Sequence, residues 1–346
     1  MKGSKFKLPN TLVVAFALAL AATGCSSYIT RIASYSIQNL WAPIAPALHK
    51  ETSPILPDVG LSVLWVGHAT VLIQIHDKVF LTDPVFTNTI GMIVRRSTEP
   101  GIDVASLSRV DYTLISHLHL DHFSFGSLDM LPKDGVLLVP NGGAEYTPEF
   151  GFRETREMQW WDVMEERGVR ITSVPVQHFS GRYGFDGGWN AGRNFTGWVI
   201  EYMGKTVFIA GDTGYNPEMF KEIGRRFPID VAIVPIAPSR SEGLGMGVHV
   251  SPRGAVQIFE DVHAKWLVPM HYRTFFQGSD APPTEAQESL KRVAVEKGIQ
   301  DRVKILDFGE RCILDPTPIL NAPASGDLGS VTNLTTQLST DLSLTN

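Results

Sequence analysis

The feature that most constrains this chain is the run His117, Leu118, His119, Leu120, Asp121, His122, placed directly after the apolar stretch Tyr112-Thr113-Leu114-Ile115. Such a stretch reads as a buried strand, and the imidazoles then fall on the loop that leaves it. Imidazole nitrogen and carboxylate oxygen are zinc ligands, and alternating positions on an extended segment project His117 and His119 to the same side. Three more polar residues close apolar runs in the same way: His178 after Val174-Pro175-Val176-Gln177, Asp212 after Phe208-Ile209-Ala210-Gly211, and His271 after Leu267-Val268-Pro269-Met270. One such residue alone is ordinarily a core or turn group. Three on one plan, together with the run, point to strand ends converging on one pocket.

Strand-like runs recur from Leu61 onward: 61–65, 70–75, 79–81, 112–115, 136–139, 169–175, 198–202, 206–209, 231–235, 266–270 and 303–306. Helical patterns cover 124–130, 217–227, 251–262 and 284–297. Strands dominate early and helices are interspersed later, which predicts sheets packed face to face with helices outside, a layered α/β arrangement. A length of 346 residues allows one large domain or two ordinary ones. The net charge of −6 supplies no electrostatic reason for a nucleic-acid partner.

The N-terminus reads as a targeting signal: Lys2, Lys5 and Lys7 precede an apolar stretch from Thr11 to Ala22. The ending Ala22-Thr23-Gly24-Cys25 resembles a bacterial lipobox, in which the cysteine is lipidated; an ordinary secretory signal is the alternative. Ser26 after the cysteine favours sorting to the outer membrane. The chain is therefore expected in the bacterial cell envelope, held by a lipid on Cys25 and facing the periplasm. Cys312 is the other cysteine, so no disulfide framework is available within the chain, and its apolar neighbours make it a packed thiol. The expected organisation is a signal over 1–25, a tether with a short docking segment over 26–58, one catalytic domain over 59–315, and a disordered tail over 316–346.

At these residues the chain resembles the metallo-β-lactamase superfamily, in its N-acylphosphatidylethanolamine-hydrolysing phospholipase D and lactonase-like branch. The resemblance rests on Trp65-Val66-Gly67-His68-Ala69-Thr70, Leu81-Thr82-Asp83-Pro84, Ile115 through His122, Gln177-His178, Ala210-Gly211-Asp212-Thr213-Gly214-Tyr215, and His271 with Thr274-Phe275. It spans about residues 60 to 310. It implies an αββα sandwich with two zinc ions at one edge of the sheets. His117, His119 and His178 would hold one ion, Asp121, His122 and His271 the other, and Asp212 would bridge them. Asp121 could orient the attacking water or accept its proton. His249 corresponds to a position near the substrate phosphate, where it would bind substrate or protonate the leaving group; otherwise it caps the helix after Ser251. Tyr215 and Arg182 are candidates for meeting a phosphate, or else packing residues. Asp83 and His68 would steady the ligands, Arg95 and Arg96 read as a solvated basic pair, and His49, His76 and His263 are expected to be solvated.

The resemblance implies a metal-dependent hydrolase acting on a small molecule or phospholipid, first of all a phosphodiester of the N-acylphosphatidylethanolamine kind. A lactone or other ester is the second expectation. β-Lactams are disfavoured because zinc β-lactamases do not place an aspartate bridge where Asp212 stands. A reading from another class is a non-catalytic envelope lipoprotein that retains the metal site.

Overall fold

The computed structural model describes residues 34–90, 94–182, 194–238, 243, 245–276 and 282–317. The signal stretch with Cys25, and the tail beyond 317, lie outside them. Among the described residues, thirteen strands build the two main sheets. The first contains β1 (Leu61–Gly67), β2 (Thr70–Ile75), β3 (Lys78–Thr82), β4 (Tyr112–Leu114), β5 (Val136–Pro140) and β6 (Glu154–Met158). The second contains β7 (Val163–Glu166), β8 (Val169–Val174), β9 (Gly197–Tyr202), β10 (Lys205–Ile209), β11 (Val231–Pro235) and β12 (Trp266–Met270). The last strand, β13 (Arg311–Asp315), returns to the outer side of β1. The strand orders are β13-β1-β2-β3-β4-β5-β6 and β12-β11-β10-β9-β8-β7. Each sheet is mixed: β3 to β6 run parallel, as do β10, β11 and β12.

Alternation along the strands explains the two cores. Val63, Trp65, Val71, Ile73 and Phe80 face the second sheet and meet Trp198, Ile200, Ile209 and Ile233. The intervening Leu64, Val66, Leu72 and Leu81 face an outer layer with Leu118, Phe123 and Leu128 from around α1 (Phe125–Met130). A sheet covered on both faces reads as a continuous apolar run, as β5 does. Over the second sheet lie α2 (Pro217–Arg226), α3 (Pro252–Asp261) and α4 (Glu285–Glu296). Asn216 caps α2 by accepting from the N–H groups of Glu218 and Met219, and Ser251 caps α3 by accepting from that of Gly254. The architecture is the αββα sandwich.

Among the described residues, three strands of these two sheets went unread in the sequence: β6, β7 and β13. All three are sheet edges. Conversely, 303–306 forms no strand and contributes only an isolated bridge from Val303 to Leu267. The arm before β1 is laid along the domain: Ala45 and Glu51 bridge to Thr98 and Ile102, and Gln74 exchanges hydrogen bonds with the backbone of Leu56. Two solvated-residue expectations are corrected. His76 is buried, in a left-handed turn against the Tyr202 ring, and Arg96 is buried as well. His49 and His263 are exposed, and Cys312 packs half-buried in β13.

Candidate metal centre

The parallel order β3-β4 brings Asp83 and the loop after β4 to one sheet edge, and β8, β10 and β12 deliver His178, Asp212 and His271 to the same edge from the other sheet. The two halves touch through backbone. Thr196 N–H donates to Ser116 O at 2.8 Å, and His271 N–H donates to His68 O at 2.8 Å. Gly211 is required here, since its φ is +60° and an added Cβ would lie 2.5 Å from that of Ser116.

All seven predicted ligands converge. One ligand atom each from His117, His119 and His178 lie within 4.8 Å of one another, and the same holds for His68, Asp121, His122 and His271, and for His117, His122 and Asp212. His117 Nε2 lies 2.9 Å from His119 Nδ1. Asp212 Oδ2 lies 3.2 Å from His271 Nε2 and 3.4 Å from His122 Nε2. Asp121 Oδ2 lies 3.6 Å and 3.7 Å from the same two nitrogens. Donors sharing one tetrahedral zinc at about 2.05 Å stand about 3.3 Å apart, close to this set.

The outward nitrogens are fixed by hydrogen bonds that leave the others aimed inward. His178 Nδ1 pairs with Val248 O at 3.0 Å, and His271 Nδ1 with Ala237 O at 2.9 Å. His122 Nδ1 pairs with Asp83 Oδ2 at 2.8 Å. Asp83 also accepts from Ser116 N–H and Oγ–H, at 2.7 and 2.6 Å. Among the described residues, His122 Nε2, His178 Nε2 and Asp212 Oδ1 are buried without a hydrogen-bond partner. Buried polar atoms rarely stay unpaired, and these three face one centre, so the residues present fit bound cations.

Electrostatics agree. Burial pushes His117 well below its ordinary value and His178 to about 3, leaving neutral imidazoles ready to ligate. Burial also acts on His122 and His271, but the facing carboxylates outweigh it: His122 is raised well above its ordinary value and His271 to about 9. Asp212 and Asp121 are buried too, yet the neighbouring histidines hold both well below the usual carboxylate range. The carboxylate pair thus calls for positive charge, which protons supply in the metal-free cluster and divalent ions would supply in their place.

The other predicted residues divide. His249, on a two-residue strand, has Nδ1 3.6 Å from Asp212 Oδ2 and borders the centre; since Ser251 caps α3, His249 has no capping duty. His68 Nε2 lies 2.9 Å from Asp121 Oδ2 and so steadies that carboxylate. Tyr215 and Arg182, the candidate phosphate contacts, are engaged elsewhere. The Tyr215 hydroxyl donates to Asp261 on α3 at 2.6 Å. The buried Arg182 donates to the carbonyls of Leu118 and Phe123 and lies 4.1 Å over the Phe125 ring, clasping the metal loop. Residues that sequence reasoning passed over include Ser116, whose only signal is its place before His117, and Ser180, whose Oγ accepts from Leu118 N–H at 3.0 Å.

Comparison with known proteins identifies the family. Residues 78–272 match the family model described as a β-lactamase superfamily domain. The chain is 27% identical over 253 residues to N-acyl-phosphatidylethanolamine-hydrolyzing phospholipase D 1 of Caenorhabditis elegans, covering 68% of this chain and 70% of that one. It is 30% identical over 252 residues to a metal-dependent hydrolase of Methanopyrus kandleri, covering 72% and 98%. Among solved structures, isothiocyanate hydrolase from Delia radicum gut bacteria shares the fold with a TM-score of 0.59 at 20% identity, over 73% of this chain and 99% of that one. With its αββα sandwich and its histidine and aspartate cluster at the sheet edge, the chain belongs to the β-lactamase superfamily, as one of its metal-dependent hydrolases.

Proposed function

We propose that the chain is a binuclear zinc hydrolase that cleaves phosphodiesters, with an N-acylated phosphatidylethanolamine as its leading substrate. The observation that carries this reading is Asp212, a buried carboxylate set between the two ligand groups and able to share its oxygens between cations roughly 3.5 to 4 Å apart. His117, His119 and His178 would hold one ion, and Asp121, His122 and His271 the other. When bound, such ions supply Lewis acidity and an activated water at neutral pH.

The protein's own groups do the rest. Asp121, with Oδ2 held by His68, orients the attacking water and takes its proton. Burial keeps His249 below its ordinary value, so it meets substrate as a neutral imidazole, donating a hydrogen bond to a substrate oxygen. The likeness to the nematode phospholipase supports the substrate class, and lipidation of Cys25 would raise the effective concentration of a bilayer substrate. Substitution Cys25→Ser should release the protein from the membrane fraction.

The test is metal analysis of purified protein followed by a phospholipid and lactone panel read by mass spectrometry. Two zinc per chain and phosphatidic acid from an N-acylated phosphatidylethanolamine are expected, with His119→Ala abolishing both turnover and full loading. A hydroxy acid released from a lactone, with the phospholipid untouched, would move the assignment to ester hydrolysis. No turnover of any substrate by the metal-loaded protein would leave the non-catalytic envelope lipoprotein.

A further inference from the structure

Arg96 forms an antiparallel bridge with Phe275, just past His271 in the chain. Residues directly opposed in such a pair present their side chains on the same face. On that face the Phe275 ring stands edge-on to His68, with 5.0 Å between centroids, and His68 in turn holds Asp121. The Arg96 guanidinium lies 5.7 Å from the centroid of the same Phe275 ring. Its neighbour Arg95 is engaged with the N-terminal arm and donates from Nε to Ala42 O at 2.7 Å. The two arginines that look like one basic pair in the sequence therefore do different things.

Arg96 is 2% exposed, and among the described residues its Nε, Nη1 and Nη2 have no hydrogen-bond partner. Glu99, the carboxylate that acts on it electrostatically, is paired with Lys50 at 3.3 Å. Burial lowers the guanidinium to about 10, so it is still charged at neutral pH. A guanidinium offers five donors in a planar fork, and burying all of them unmade is among the costlier arrangements a protein can hold. The aromatic face offsets only part of that. A charge held this way beside the cluster, with no hydrogen-bond partner among the described residues, is suited to an anion.

We propose that Arg96 is a substrate-anion subsite beside the metal centre, its guanidinium taking a phosphate or carboxylate group of the substrate. The proposal rests on the hydrolase reading above and deepens it. The planar fork suits two oxygens of one oxyanion at once, a geometry that lysine does not reproduce.

The experiment compares the metal-loaded full chain with Arg96→Met and Arg96→Lys. Inorganic phosphate is titrated calorimetrically, melting temperatures are recorded without ligand, and two p-nitrophenyl esters of matched length are hydrolysed, one neutral and one ending in a carboxylate. Phosphate held by the metals is common to all three proteins, so differences report Arg96. Arg96→Met should melt no lower than the parent, weaken phosphate by about tenfold or more, and raise KM by a similar factor for the acid-ended ester alone, with kcat unchanged; Arg96→Lys should recover part of the loss. Unchanged phosphate affinity and KM would overturn the proposal. So would a lower melting temperature with equal losses on both esters, which would make the guanidinium structural. If neither ester is cleaved, the ester alternative falls and the phosphodiester reading is decided by the phospholipid panel, while the phosphate titration and melting comparison decide Arg96.

Discussion

Replacing Asp83 by Asn tests how far the metal centre depends on a residue that touches no metal. Asp83 is 1% exposed and spends its oxygens on three donors: Ser116 N–H, Ser116 Oγ–H and His122 Nδ1–H. Asparagine has nearly the same shape and tolerates the left-handed backbone found here, with φ at 36°, so the fold is kept. Either orientation of its amide points an NH2 group at a donor. One face then confronts Ser116 N–H, the other Ser116 Oγ and His122 Nδ1. Each hydrogen bond to a charged acceptor contributes about 1.5–3 kcal/mol, so the imidazole loses an orienting force of that order. Losses of roughly 10–100-fold in metal affinity are typical when such supporting groups are changed. Chelator competition followed by metal analysis should show that loss at the His122 position, with activity recovering in excess zinc and far-UV circular dichroism unchanged. Wild-type affinity and stoichiometry in Asp83→Asn would refute the idea that this carboxylate sets the aim of His122.

Loading the metal-free protein at pH 7 should release protons to an unbuffered solution, because His122 and His271 are held above their ordinary value and must give up protons to ligate. The corresponding stability term in the metal-free protein is fully present below about pH 6.5 and is lost as pH rises through about 9, the value for His271, which thermal melts across that window will read. Gly211→Ala forces a Cβ to 2.5 Å from Ser116 Cβ at a left-handed φ, so it should cost at least about 1–2 kcal/mol of stability in denaturant titrations and lower metal loading as well. Arg182→Lys cannot span the carbonyls of Leu118 and Phe123, and should lower metal affinity at the loop while leaving KM for substrate nearly unchanged in zinc-saturated assays.

The parts of the molecule legible in the sequence are those where one physical demand governs each residue. Strands such as β5 and β11, covered on both sides, are unbroken apolar runs, and His117, His178, Asp212 and His271 stand just beyond the ends of β4, β8, β10 and β12. The strands that escaped reading sit at sheet edges. There one side is open and charge guards against further pairing, so β6 reads Glu-Thr-Arg-Glu-Met and carries no apolar signature. For Tyr215 and Arg182 the sequence left phosphate contact and packing both open, for a related reason. Local sequence tells that a polar group follows a ligand, whereas its partners, Asp261 and the carbonyls of Leu118 and Phe123, are brought in from distant chain. Arg96 was missed by the same route, since nothing in Arg95-Arg96 says which of the two is buried.

The ligands are drawn from both sheets and run from His117 to His271, with the second sheet's three set on separate strands. No growing fragment of the chain can therefore assemble the whole set before β12 has been made and docked. The complete set exists only once the two layers have closed on each other. Any ion taken up by the complete set would be one available where folding is completed, whichever metals are abundant where the chain is synthesised.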